Sequence, residues 1–159
     1  MPTGPWTEED LPDEDRLVEL LEGTLVVNAP PSGLHQLAVK RLVQRIDSSA
    51  SAGYEAVEAV GVRIPGGSYF IPDVALVSVE RLTADTSTFE PADVALVAEV
   101  VSPSSQSLDR EVKPRIYAQA GIPEYWLVEI GGRVEESIVH VCRLAEGAYA
   151  QERSFPLGR

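Results

Sequence analysis

The chain has 159 residues, 44% of them apolar and 24% charged, which is ordinary usage for one globular domain over 1–159 that can bury a core without staples. Its 25 acids against 13 bases give a net charge of −12, which excludes a protein that coats nucleic acid nonspecifically, because that mode needs a basic footprint. An acidic protein can still meet phosphates through a local basic patch and a bound cation.

Residues 1–6 show no basic stretch followed by an apolar run, and no stretch reaches the roughly eighteen apolar residues of a membrane span. Neither a signal peptide nor a membrane partner is therefore expected. The one cysteine, Cys142, has no partner for an internal disulfide, so a reducing, cytoplasmic setting is expected.

In chain order, Thr7 followed by Glu8, Glu9 and Asp10 reads as a helix start, and Pro12 holds that helix to a turn or two. Residues 17–21 and 24–28 flank Glu22-Gly23, where a glycine at positive φ predicts a β-hairpin. A four-residue helix competes for the first arm. Pro30-Pro31-Ser32-Gly33 breaks the chain. Residues 34–49 form the clearest helix, because Val39, Leu42, Val43 and Ile46 recur at helical spacing while Lys40, Arg41 and Arg45 lie mostly off that face.

Residues 54–64 read as a strand, Pro65-Gly66-Gly67 as a turn, and residues 69–78 as a second strand. Residues 92–101 are almost continuously apolar, as in a central strand buried on both faces. Ser102-Pro103-Ser104-Ser105 ends that strand. Residues 110–120 predict a helix stopped by Gly121 and Pro123. Residues 124–130 are a further β run. Gly131-Gly132 leads into a strand over 135–143, and a last strand falls near 149–155. The order predicts an α/β fold: a hairpin, then a central mixed sheet with helices against it.

Two acids stand out by position. Asp73 follows Phe70-Ile71-Pro72, and Glu99 ends the apolar run from Val94 to Ala98. An ionised carboxylate in an apolar strand is costly unless a cation or hydrogen bonds compensate it. Pro72 cannot donate to a ladder, so Asp73 belongs near a strand start, whereas Glu99 lies near the end of the next. If those strands pair antiparallel the two acids are neighbours, and facing carboxylates attract a hard cation. The alternative is a strand-end acid that faces solvent or caps an amide. Lys113, at the start of the following helix, either reaches a scissile phosphate or the attacking water, or is a solvated lysine paired with Asp109.

Other chemistries find no support. His35 and His140 are the only histidines, Ser102 is in no G-x-S-x-G elbow, and Gly66-Gly67 has no following Lys-Ser/Thr. Cys142, in an alternating run, reads as core packing.

Pro72-Asp73, Glu99-Val100-Val101-Ser102-Pro103-Ser104, Asp109…Lys113…Tyr117-Ala118…Ala120-Gly121-Ile122-Pro123-Glu124-Tyr125-Trp126 and Glu19-Leu20-Leu21-Glu22-Gly23 resemble the Uma-two family of the restriction-endonuclease-like PD-(D/E)XK superfamily. The likeness runs from about residue 17 to about 145, with its specific part between Glu99 and Trp126. It implies a restriction-endonuclease-like core in which Asp73 and Glu99 ligate Mg²⁺ or Mn²⁺. The general superfamily pattern has a lysine two residues after the glutamate, where this chain has Val101. The resemblance assigns that role to Lys113. Glu19 and His35 also match the family pattern.

The reading is therefore a metal-dependent endonuclease acting on nucleic acid. Its rival is a catalytically inactive module of the same fold used for dimerisation or partner binding, and a third reading is a hydrolase of another substrate. A homodimer is expected, with the β run 125–128 and the strand around 139–141 offering an apolar surface or an edge.

Overall fold

The computed structural model describes residues 4–12 and 18–158. It opens on a single 3₁₀ turn, Glu8–Asp10, in which the Asp10 carboxylate accepts from the Thr7 amide (2.8 Å) and hydroxyl (2.9 Å). Strands β1 (Val18–Leu21) and β2 (Thr24–Val27) form the expected hairpin. It turns on Glu22 and Gly23 at φ 46° and 84°. Leu17, placed in the first arm by the sequence, lies outside the described residues. Helix α1 (Gly33–Ser49) is N-capped by Ser32, whose hydroxyl accepts from the His35 amide, and it buries Ala38, Val39, Leu42 and Ile46.

Two runs expected as single strands are each broken in two. Residues 54–64 give β3 (Tyr54–Glu58) and β4 (Gly61–Ile64), parted at Ala59, whose φ is +50°. Residues 69–78 give β5 (Ser68–Phe70) and β6 (Val74–Ser78), parted at Pro72, which has no amide hydrogen for a ladder. In each case the halves belong to different sheets. Gly61 is needed where the chain crosses over, because a Cβ there would lie 1.9 Å from the Tyr69 hydroxyl. Strand β7 (Thr88–Phe89) is too short for any periodicity and was not expected.

Strand β8 (Val94–Val101) follows a 3₁₀ turn at Pro91–Asp93. The next helix starts before residue 110, with a π turn at Leu108–Val112 that runs into α2 (Lys113–Gln119). Pro114 cannot donate to the preceding turn and its ring crowds the carbonyl four residues back, and the chain widens immediately before it. After Gly121 come β9 (Glu124–Glu129), a 3₁₀ turn at Val134–Glu136 where a strand had been expected, β10 (Ile138–Ala145) and β11 (Ala148–Pro156).

The smaller sheet has the order β2-β1-β5-β4-β7 and the larger β11-β10-β9-β8-β6-β3. Each is mixed: β4–β7 and β8–β9 are parallel pairs, and the others are antiparallel. Instead of one central sheet there are two. The larger is buried on both faces, which explains the unbroken apolar run of β8. Val74, Ala98, Val100, Val128 and Val139 pack with α1. Ala75, Val77, Val97 and Tyr125 pack with Ile116 and Tyr117 of α2 and with Val62 and Phe70 of the smaller sheet. Strands β9 and β10 are interior, so the edge expected near 125–128 and 139–141 is instead formed by β11. Among the described residues no helix is long and apolar enough to cross a membrane.

Candidate active site

The antiparallel pairing of β6 with β8 sets Val74 opposite Ala98, so Asp73 lies opposite Glu99 one step further along. Asp73 is fixed by its Oδ2, which accepts from the Val100 amide at 2.7 Å. Glu99 is 3% exposed, and its Oε1 accepts from Lys113 Nζ (2.9 Å) and from the Tyr117 hydroxyl (3.0 Å). Glu19, carried in by β1, accepts from the Ile71 amide (2.7 Å) and Lys113 Nζ (3.0 Å) on Oε1, and from Asn28 (2.8 Å) on Oε2.

The sequence left Lys113 between a solvated surface lysine and a site residue. The structure buries it at 4% exposure and brings it onto Glu99 and Glu19. Asp109, weighed only as its surface partner, is itself buried, with Oδ1 3.7 Å from Nζ and a short hydrogen bond from the Ser105 hydroxyl. The π turn carries both residues into the site. Asp109, Ser105 and Tyr117 are site members that residue-by-residue reasoning did not single out. The i, i+4 spacing of Asp109 and Lys113 was visible, but nothing in it distinguished a buried pair from an exposed one.

His35, which matches the family pattern, is buried. Its Nε2 lies 3.2 Å from the Val100 carbonyl and 3.4 Å from Asp73 Oδ2. Both neighbours accept, so Nε2 carries the hydrogen, and Nδ1 is buried without a partner.

Three carboxylates thus surround one ammonium, and a fourth, Asp73, lies beside His35. Burial pushes the Glu99 carboxyl well above its usual range; Lys113 opposes this, and Asp109, Asp73 and Glu19 reinforce it. Burial raises Asp109 in the same way, against Lys113 and Ser105. For Lys113 burial disfavours the charge, but Glu99, Glu19 and Asp109 outweigh it and hold the ammonium protonated. Burial and the adjacent Glu99 keep the Tyr117 phenol protonated. His35 is lowered by burial and raised more by Asp73 and the Val100 carbonyl.

These groups line a cavity of about 500 Å³. Among the described residues no three His, Cys, Asp or Glu side chains form a ready metal cluster, which is what a closed zinc site would need. Mg²⁺ differs, since it keeps several waters and takes only one or two protein carboxylates. The hydrogen bonds to Asp73 and Glu99 fall on Oδ2 and Oε1, so among the described residues Oδ1 and Oε2 accept none. Two unused carboxylate oxygens beside a local excess of negative charge suit a hard divalent cation.

The two mixed sheets with few helices define a nuclease-like α/β fold. The crystal structure of "a putative nuclease belonging to DUF820 from Anabaena variabilis ATCC 29413" superposes with a TM-score of 0.71 at 19% identity, over 93% of this chain and 81% of that one. A family model described as "Uma2: Putative restriction endonuclease" matches residues 8–159, and the chain belongs to that family. No curated protein matches it.

Proposed function

We propose that the protein is a metal-dependent endonuclease that hydrolyses phosphodiester bonds of nucleic acid, in the cytoplasm, with Asp73 and Glu99 holding Mg²⁺ or Mn²⁺ and Lys113 assisting the reaction. The observation that carries this is the charge imbalance of the cavity: Glu19, Glu99 and Asp109 crowd the single ammonium of Lys113, and Asp73 lines the same cavity beside His35, with Oδ1 of Asp73 and Oε2 of Glu99 unused among the described residues.

When bound, a divalent cation supplies Lewis-acid polarisation of the phosphoryl group and a lowered pKa for the attacking water. The chain's own residues do the rest. The Val100 amide fixes the Asp73 carboxylate, and the Tyr117 hydroxyl fixes Glu99. Lys113 has three N–H donors. Two point at Glu99 and Glu19 at 2.9 and 3.0 Å, whereas the 3.7 Å separation from Asp109 is too long for a hydrogen bond. The third donor meets no acceptor among the described residues, and Lys113 lines the cavity where a phosphoryl oxygen or the attacking water would sit. Such an oriented donor stabilises the charge that develops in the transition state.

We also propose a homodimer, which would offer two such sites to a substrate with two strands. The test is cleavage of single- and double-stranded DNA and RNA. Cleavage is expected only with Mg²⁺ or Mn²⁺ and is expected to vanish in Glu99→Gln, which keeps the shape and removes a charged ligand. Cleavage unchanged in that variant would displace the assigned site. No cleavage of any substrate by the wild type would favour the inactive binding module.

A further inference from the structure

A second cavity, of about 320 Å³, lies at the other end of α1 and has the opposite character. It is lined by Arg41, Gln44, Arg45, Ser48, Leu157 and Gly158, with no carboxylate among them. Arg41 shares its charge with Glu135 at 2.9 Å. Arg45 has no ionic partner among the described residues, and its guanidinium lies 4.9 Å from the centre of the Phe155 ring. The Arg153 guanidinium lies 5.6 Å from the same centre, also without an ionic partner among the described residues. The two cations can be no further apart than those distances laid end to end. A chain with a net charge of −12 concentrates unneutralised positive charge here.

One row of α1 joins the two cavities. Gln36, Lys40, Gln44 and Ser48 follow each other at i, i+4, and all four are exposed. Gln36 lines the acidic cavity, whereas Gln44 and Ser48 line the basic one. Lys40 stands between them with no ionic partner among the described residues. The row contains no acid. The one acid of α1, Asp47, is used elsewhere, accepting from the Ala56 amide at 2.8 Å. Such a ridge offers amide and hydroxyl donors on either side of one cation, the kinds of group that contact a phosphate backbone.

We infer that the row Gln36–Lys40–Gln44–Ser48 is the track of a nucleic-acid backbone leaving the active site, and that Arg45 holds a phosphate at its far end. This rests on the nuclease reading of the first cavity. At 1.5 Å per residue the row is about 18 Å long. A duplex strand advances about 3.4 Å per nucleotide, so the row spans about five nucleotides. Arg153 adds charge beside it, and Phe155 holds both guanidinia in place.

The test is fluorescence anisotropy with fluorescein-labelled single- and double-stranded DNA, in EDTA, across roughly 50 to 200 mM salt. Lys40→Ala and Arg45→Gln are compared with wild type and with Arg81→Ala, whose guanidinium pairs with Asp93 elsewhere. Alanine and glutamine are good helix formers, so α1 is retained. Each ridge variant is expected to weaken binding several-fold and to lower the slope of log K against log salt by about 0.9 on duplex, or about 0.7 on a single strand. Arg81→Ala is expected to leave both unchanged.

Slopes unchanged in both ridge variants, or lowered equally in Arg81→Ala, would overturn the track. Cleavage assays with Mg²⁺ keep the two readings apart. Ridge-dependent binding without cleavage would sink the nuclease and leave the track. Cleavage without ridge dependence would do the reverse. Inorganic phosphate that shifts the Gln44 and Ser48 amide resonances, where DNA of either form does not bind, would mean a free-anion site and would overturn the nucleic-acid occupant.

Discussion

Glu99→Gln separates the folding role of this carboxylate from its role toward a cation. In metal-free protein the change removes one negative charge from three buried carboxylates, Glu19, Glu99 and Asp109, that face one ammonium. Two effects oppose each other. The bond from Lys113 to Oε1 changes from an ion pair to an ammonium–amide bond, a loss of about 1 kcal/mol within the roughly 1.5–3 kcal/mol range of bonds to charged groups. Against this, repulsion from Asp109, Asp73 and Glu19 is relieved and a fully buried charge is no longer desolvated. Lys113 keeps Glu19 at 3.0 Å, and an amide oxygen can still accept from Tyr117.

The relief is the larger effect, because Glu99 is 3% exposed and its desolvation outweighs the attraction of Lys113, holding the carboxyl above its usual range. We expect a net gain on the order of 1 kcal/mol, or about 2–4 °C in Tm for a chain of this size. The sign with pH follows. A carboxyl raised in the fold binds more protons folded than unfolded, so wild-type stability falls as pH rises above the unfolded value of about 4.5. The advantage of the variant in EDTA therefore grows from pH 5 to pH 8. Saturating Mg²⁺ reverses the order, since at about 100 times Kd it stabilises only the wild type, by about 2.7 kcal/mol. Calorimetry or circular-dichroism melts read both. A variant that melts lower than wild type in EDTA would make Glu99 a structural partner of Lys113. A wild type that ignores Mg²⁺ and Mn²⁺ would remove the cation.

Lys113→Ala leaves Glu19, Glu99 and Asp109 buried without their cation and should cost about 3–5 kcal/mol by urea midpoint, part of it restored by Mg²⁺; a cost below about 1 kcal/mol would mean that the acids are already neutral. Asp73→Asn keeps an acceptor for the Val100 amide and should hold stability while losing the Mg²⁺-induced melting shift, whereas Asp73→Ala should also cost about 1–3 kcal/mol; equal stabilities for the two would show that the amide bond contributes nothing. His35 has a raised pKa, so its contribution is complete below the unfolded value of about 6.5 and is lost as pH rises through the folded one; His35→Ala should therefore cost more at pH 5.5 than at pH 8.5, and a cost independent of pH would rule out the Asp73 pairing as its source. Light scattering at micromolar concentration should give twice the chain mass, and a monomer at every concentration would remove both the dimer and the paired-site arrangement.

The elements with a strong period were legible. The apolar stripe of α1, the two-sided burial of β8 and the Glu22-Gly23 turn are local patterns, and each falls where the sequence placed it. The second sheet was hidden. Residues 54–64 and 69–78 read as continuous β runs because side-chain alternation survives a break, whereas the partner of a strand is set by distant residues. Only Pro72 marked a departure, and a proline within a run is compatible with a strand start as well as with a change of sheet. Ala59 gave no signal at all, since alanine rarely takes positive φ and the position is dictated by its surroundings.

The break at Pro72 is also what builds the site. Continuing the β6–β8 register one step past Asp73 would set Val100 opposite Pro72, which lies outside the ladder, so the Val100 amide needs another acceptor. Asp73 Oδ2 takes it, and Glu19 takes the Ile71 amide on the departing segment. Two of the four carboxylates thus stand in for lost ladder bonds, which accounts for buried acids in a chain that could have placed them in water. Each is held by a single oxygen in that role: Glu19 has Lys113 on the same oxygen, and Asp73 keeps its second oxygen uncommitted. The sequence tied Asp73 to Pro72 only as a strand start, and left Glu19 unconnected to either. Their connection, a strand that must leave one sheet for another and acids that receive its stranded amides, is a tertiary fact, and it sets Asp73 and Glu19 in the cavity that the start of α1 also lines.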